Sequence, residues 1–115
     1  MLFFLVAAAL SDGCAGCNSR EAMIVKKIEK NIVLPRGAAP LKNYVRRYAW
    51  LPQGEYDIAV VYEMEMEDKH YRWSDSYWGE VDELPIVMHG GCSVLMFFYN
   101  SVTDKVSGLG RNCKI

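Results

Sequence analysis

The chain is short of most things that catalysis or nucleic-acid binding requires. Its 115 residues include only two histidines, His70 and His89, too few at any matching spacing to complete a zinc site with the cysteines. Neither sign of charge prevails: 13 Lys+Arg against 14 Asp+Glu give a net charge of −1 and a pI near 6.1. That balance excludes the basic footprint of a nucleic-acid binder and the acidic block of a solvating tail. There is no glycine-rich phosphate loop, no Ser–His–acid arrangement with local support, and no internal repeat. No apolar run is long enough to cross a bilayer core about 30 Å thick as a helix. What is present is a globular composition, 51% hydrophobic and 12% aromatic, which rules out a disordered chain. The length allows one domain plus at most a tail.

Residues 1–10, Met-Leu-Phe-Phe-Leu-Val-Ala-Ala-Ala-Leu, form an apolar run of the length of a secretory h-region. The small residues Ser11, Gly13, Ala15 and Gly16 follow it, although no basic residue precedes it. A buried N-terminal strand or helix is the competing structural reading. Cys14-Ala-Gly-Cys17 comes next and admits three readings. A redox Cys-x-x-Cys needs a βαβ setting with a strand leading into it, and no such unit is visible. A zinc site lacks further ligands. The favoured reading is a bacterial lipoprotein signal, with Ala15-Gly16-Cys17 as the end of a lipobox. Cys17, or else Cys14, is then the lipidation candidate. Residues 1–16 become a leader, and residues 17–115 a single domain.

Asn18 and Glu21 have the spacing of a capping box. Met23, Ile24, Ile28 and Ile32 then recur at helical spacing, so a helix is expected over residues 19–33, stopped by Pro35 and Gly37. Pro40, Leu41, Tyr44, Val45, Tyr48 and Ala49 predict a second, shorter helix with Arg46 and Arg47 as solvated surface charges. Residues 56–67 alternate strictly. Ile58, Val60, Tyr62, Met64 and Met66 fall on one side; Glu63, Glu65 and Glu67 fall on a wet side. A return strand pairs Met66 with Tyr71 and Met64 with Trp73. Residues 74–83 read as a loop or irregular edge.

Residues 92–99 and 106–113 form a second hairpin around the turn 100–105. Tyr99 faces Val106, Phe97 faces Gly108 and Cys92 faces Cys113. Opposed Cα atoms on antiparallel strands lie about 4.5–5.5 Å apart, within disulfide range. A Cys92–Cys113 bond closing that segment contributes about 3 kcal/mol in the chain-entropy model. Asp104 sits at a turn position that favours the left-handed conformation. Residues 94–99, apolar on both sides, read as a central strand. The expected fold is α+β: an antiparallel sheet of four to five strands, an N-terminal helix packed on one face, and a disulfide-stapled C-terminal hairpin.

The segments Leu34-Pro-Arg-Gly-Ala-Ala-Pro-Leu-Lys-Asn-Tyr-Val-Arg-Arg-Tyr-Ala49 and Leu84-Pro-Ile-Val-Met-His-Gly-Gly-Cys-Ser-Val94, with a closing cysteine, resemble a group of uncharacterised small bacterial envelope proteins. In these a signal or lipobox precedes Pro-Leu…Tyr-x-Arg-Tyr and Asp-Gly-Gly-Cys motifs. His89 stands where the pattern has Asp. The resemblance covers residues 34–113 with gaps. It implies secretion and a paired cysteine, and it brings no activity.

The functional expectation is a non-catalytic bacterial envelope protein, secreted or lipid-anchored, in the periplasm or at the outer membrane. It would bind a protein or a cell-wall component. No cofactor, metal or nucleic acid is expected, and membrane contact comes only through the N-terminal lipid. Tyr77, Trp78 and Trp73 are the candidate binding surface. The more ordinary reading places Trp73 in the core and Trp78 and Tyr77 over a sheet edge. The alternative function is a small thiol/redox protein using Cys14 and Cys17, or a His–Cys enzyme using His89 and Cys92. A Cys92 bonded to Cys113 would not be a thiolate.

Overall fold

The computed structural model describes residues 14–64, 76–84 and 93–108. The leader run to residue 13, the Met64–Trp73 and Met66–Tyr71 pairs, Glu65, Glu67, His89 and the Cys92–Cys113 bond lie outside the described residues.

The chain is α+β. Strand β1 (Cys14–Ala15) leads into helix α1 (Ser19–Asn31), and a single 3₁₀ turn (Leu41–Asn43) precedes strand β2 (Val45–Trp50). Strands β3 (Ile58–Glu63), β4 (Ser76–Gly79), β5 (Val94–Tyr99) and β6 (Val106–Ser107) follow, with a second 3₁₀ turn (Val81–Glu83) after β4. Among the described residues they form one six-stranded sheet in the order β1-β4-β2-β3-β5-β6.

The sheet is mixed, which corrects the antiparallel expectation. β4 runs parallel to both its neighbours, β1 and β2, while the β2–β3, β3–β5 and β5–β6 pairs are antiparallel. Consequently β1, α1 and β2 make a split βαβ unit, with β4 inserted between the two parallel strands. That is the strand-led setting for Cys14-Ala-Gly-Cys17 which the sequence did not display.

The helix begins where its capping chemistry dictates. Asn18 Oδ1 accepts from the Glu21 backbone N–H at 2.8 Å, and Glu21 Oε1 accepts from the Asn18 N–H at 2.9 Å. Two otherwise orphaned donors are thereby satisfied reciprocally. Of the expected core-facing stripe, Ile28 is buried and Ile24 and Ile32 pack against the core, joined by Val25 and Glu21, whereas Met23 is 72% exposed. Val25 and Ile28 pack on one sheet face, against Tyr44, Tyr48, Ile58, Val60, Tyr62, Trp78, Leu95, Phe97 and Tyr99.

The second helix does not form; its residues are β2. Val45, Arg46, Tyr48 and Ala49 are all buried, because β2 lies inside the sheet and both its faces are covered. A strand buried on both sides loses the alternation that would identify it, and its apolar residues then mimic a helical spacing. β3 is likewise buried on both faces, with Ala59 5% and Val61 1% exposed, so the expected wet side is dry over this stretch. Residues 76–79, expected in a loop or irregular edge, are an interior strand.

The last hairpin has its expected register: Tyr99 faces Val106 and Phe98 faces Ser107. Asp104 has φ 64°, the left-handed turn conformation. Its carboxylate accepts from the Tyr99 hydroxyl and pairs with Lys27 Nζ at 3.0 Å, which ties the turn to α1.

Candidate functional site

The Cys14-Ala-Gly-Cys17 loop joins β1 to α1, and its two sulfurs are bonded, with Cα atoms 5.7 Å apart. Both cysteines are half-buried against the core, while Ala15 and Gly16 are exposed. Gly16 is required by geometry. Its φ is +83°, and a Cβ there would collide with the Trp78 carbonyl oxygen on β4. Only a residue without a side chain lets the loop lie that close to the sheet. A bond closing so short a loop removes little entropy from the unfolded chain, about 2 kcal/mol against about 3 for a loop of about 15 residues.

Beside this loop lies a cleft of about 270 Å³. The Ala15–Gly16 backbone, Tyr48, Tyr77 and Trp78 line it, with Arg47, Glu80 and Glu83 supplying charge. A second cavity of about 230 Å³ shares Gly16, Trp78, Gly79 and Glu80 with it and adds Glu21 and Trp50. β4 and β2 position the rings. Tyr48 opposes Trp78 in the parallel register, and the two rings stack with centroids 5.8 Å apart and planes 14° from parallel. Trp50 tilts onto Trp78 at 5.1 Å, and the Arg20 guanidinium lies 5.1 Å from the Trp50 ring centre.

Most of the charges at this end already have structural partners. Arg47 Nε donates to Glu63 Oε1 at 2.7 Å, Trp50 Nε1 to Glu21 Oε2 at 2.6 Å, and the Glu80 N–H to Glu83 Oε1 at 3.0 Å. Trp78 is 9% exposed, and its Nε1 has no hydrogen-bond partner among the described residues. The aromatic pair of the sequence reading is therefore split. Adjacent residues on a strand point to opposite faces, so Trp78 faces α1 and the half-buried Tyr77 faces away. Trp73 lies outside the described residues.

A polar cluster that the sequence did not reveal ties the last turn of α1 to the starts of β2 and β4. Glu29 Oε2 accepts from Arg46 Nε at 2.9 Å, Tyr48 Oη at 2.7 Å and Ser76 Oγ at 2.6 Å. Arg46 also donates to the carbonyls of Leu41 and Tyr44, each at 3.1 Å. It is 7% exposed, and Arg47 is half-buried, so the expectation of two solvated arginines is overturned. On a strand they face opposite sides of the sheet, and each finds a carboxylate. The Tyr48 and Tyr62 hydroxyls lie 2.8 Å apart. Burial above all, then the neighbouring Tyr62 and Glu29, hold the Tyr48 hydroxyl well above its ordinary pKa. Burial likewise raises Tyr62. The only sequence hint of this cluster was the Arg46-Arg47 pair inside an apolar stretch.

A third cavity, about 530 Å³, lies between the end of α1 and the last hairpin, with Ile28, Ile32, Val33 and Val106 among its lining. It is larger but gathers no comparable group of rings and carboxylates. Among the described residues no group of three or more His, Cys, Asp or Glu side chains is placed to hold a metal ion, and no helix is long and apolar enough to cross a membrane. No family model, curated protein or solved structure matches the chain. The envelope-protein resemblance therefore rests on its short motifs alone.

Proposed function

We propose that this chain is a secreted protein of the bacterial cell envelope that binds a cell-wall component in the cleft beside the Cys14–Cys17 loop. The observation that carries the reading is the lining of that cleft: the half-buried Tyr77 ring beside Arg47, Glu80 and Glu83, backed by the buried Tyr48 and Trp78. Aromatic faces receive the apolar face of a sugar ring or a peptide side chain, and a few convergent polar groups fix its orientation. The volume is slightly below the roughly 300 Å³ at which small-ligand pockets begin. It suits one sugar ring or one side chain of a larger polymer better than a free cofactor.

The apolar leader and the disulfide support an oxidising, extracytoplasmic setting. A lipid on Cys17 would need the sulfur that is bonded to Cys14, and cleavage before Cys17 would remove β1. The secreted form is accordingly the one proposed. Labelling with a fatty-acid analogue, compared with Cys17→Ala and Cys14→Ala, separates it from a lipid-anchored form.

The test of binding is co-sedimentation with purified cell-wall sacculi. The chain should pellet with them, and Tyr77→Ala and Glu80→Ala, checked for native circular dichroism, should each reduce the pelleted fraction at least several-fold. A chain that stays in the supernatant, or folded variants that pellet as well as the parent, would contradict the reading. A protein partner is the other outcome, detected by cross-linking to envelope proteins through a photoreactive group at position 77.

A further inference from the structure

We propose that the Cys14–Cys17 bond is exchangeable in the folded protein, so that the chain accepts two electrons from a protein or peptide dithiol. This is a redox activity beyond the binding role.

Four observations support it. The cysteine pair sits where a strand enters a helix, within the split βαβ unit of β1, α1 and β2. Cys17 immediately precedes Asn18, the N-cap of a 13-residue helix. Backbone N–H groups at a helix start favour negative charge, and a thiolate released there leaves more readily. Lastly, Ala15 and Gly16, the two residues inside the bonded loop, are exposed and form part of the cleft lining. An extended segment seated in the cleft would lie along that loop. The bond also closes a loop with a sequence separation of only 3, so constraint of the unfolded chain explains it poorly.

A partner thiolate attacks Cys14 Sγ and forms a mixed disulfide, and Cys17 leaves as a thiolate at the start of α1. The second partner thiol, losing its proton, attacks the partner's own sulfur in the mixed disulfide and releases Cys14. The partner departs as a disulfide, and this chain is left with two thiols, having taken up the two electrons and two protons the partner lost. Any small-molecule disulfide, such as oxidised glutathione, restores the bond by the reverse exchange. Glu21 places a carboxylate within the first turn, where it opposes the charge on a departing Cys17; Glu21→Gln removes that charge and retains a side chain able to complete the capping box.

The test compares one bond in two states of the same protein. The oxidised chain is mixed at neutral pH with a reduced two-cysteine peptide, once native and once unfolded in urea. Samples are quenched by alkylation and mapped by mass spectrometry, which distinguishes Cys14 and Cys17 from Cys92 and Cys113. The expected result is that native Cys14–Cys17 is reduced faster than in the unfolded chain, by about tenfold, while circular dichroism stays native. Glu21→Gln should raise the native rate further and leave the unfolded rate unchanged. A bond kept only for structure would do the opposite, resisting the peptide until the chain unfolds. A native rate at or below the unfolded one, or loss of the fold on reduction, overturns the proposal without bearing on sacculus binding.

Discussion

Arg46 Nε lies 2.9 Å from Glu29 Oε2, joining the start of β2 to the last turn of α1. Both side chains are largely withdrawn from water, at 9% and 19% exposed, and Tyr48 and Ser76 donate to the same carboxylate oxygen. A buried pair of this kind contributes little over a well-packed apolar pair, yet removing one partner strands the other. Glu29→Ala should therefore cost about 3 kcal/mol or more, measured by urea denaturation. Glu29→Gln keeps an acceptor for the hydroxyls and should cost less. Equal effects from both would show that the charge accounts for the whole contribution and that the retained acceptor adds nothing.

The buried Tyr48–Tyr62 hydroxyl pair gives the protein an alkaline limit. Tyr48 and Tyr62 have folded pKa values above their ordinary value of 10.0, so the unfolded chain releases those protons first as pH rises. Below pH 10 both states hold them and the contribution is complete. Above it the native state binds more protons than the unfolded one, and stability falls with rising pH. Denaturation midpoints should be insensitive to these two groups up to about pH 9 and decline beyond about pH 10. Tyr62→Phe should make that decline shallower. An unchanged slope in the variant would refute the assignment.

Gly16 combines a positive φ with the approach of the Trp78 carbonyl. Gly16→Ala should cost about 1–3 kcal/mol and shift the β1–β4 contact, read as a lowered melting temperature with altered tryptophan emission. Gly54 also has a positive φ, but no atom of the described residues lies within 4 Å of the place a Cβ would take. Gly54→Ala should therefore be the milder change of the two.

Glu21 acts twice, as the capping-box acceptor for the Asn18 N–H and as the partner of Trp50 Nε1. Glu21→Ala should lose about 1–2 kcal/mol, a larger loss than from Asn18→Gly, because glycine is itself a tolerated N-cap. Paired thermal melts of the two variants decide it.

What could be read from the sequence is what local chemistry specifies. Asn18 and Glu21 mark the helix start without reference to anything distant. The turn residues 100–105 place Tyr99 opposite Val106, and Asp104 takes the left-handed position. Illegible features depend on partners far along the chain. β2 looked helical because Tyr44, Val45, Tyr48 and Ala49 are apolar on both faces of a central strand. β4 is four residues long and pairs only in parallel with distant strands, so residues 76–79 carried no turn-bounded signal. Arg46 reads as solvated because charged side chains are exposed unless paired, and its partner Glu29 lies far off in sequence on the helix. The Cys14–Cys17 pair could be seen, but β1 has two residues and no periodicity to announce the βαβ unit around it. Of the cleft, Tyr77 and Trp78 were legible as a neighbouring aromatic pair, whereas their opposite orientations followed only from the strand.

Peptide mapping of the native protein, purified without reductant and alkylated before digestion, tests most directly the bond between β1 and α1 on which the site is built. Cys14 and Cys17 should be recovered in one peptide, unalkylated until reductant is added. Recovery of both as alkylated thiols, or of Cys17 bearing a fatty acyl group at a new N-terminus without Cys14, would contradict the account.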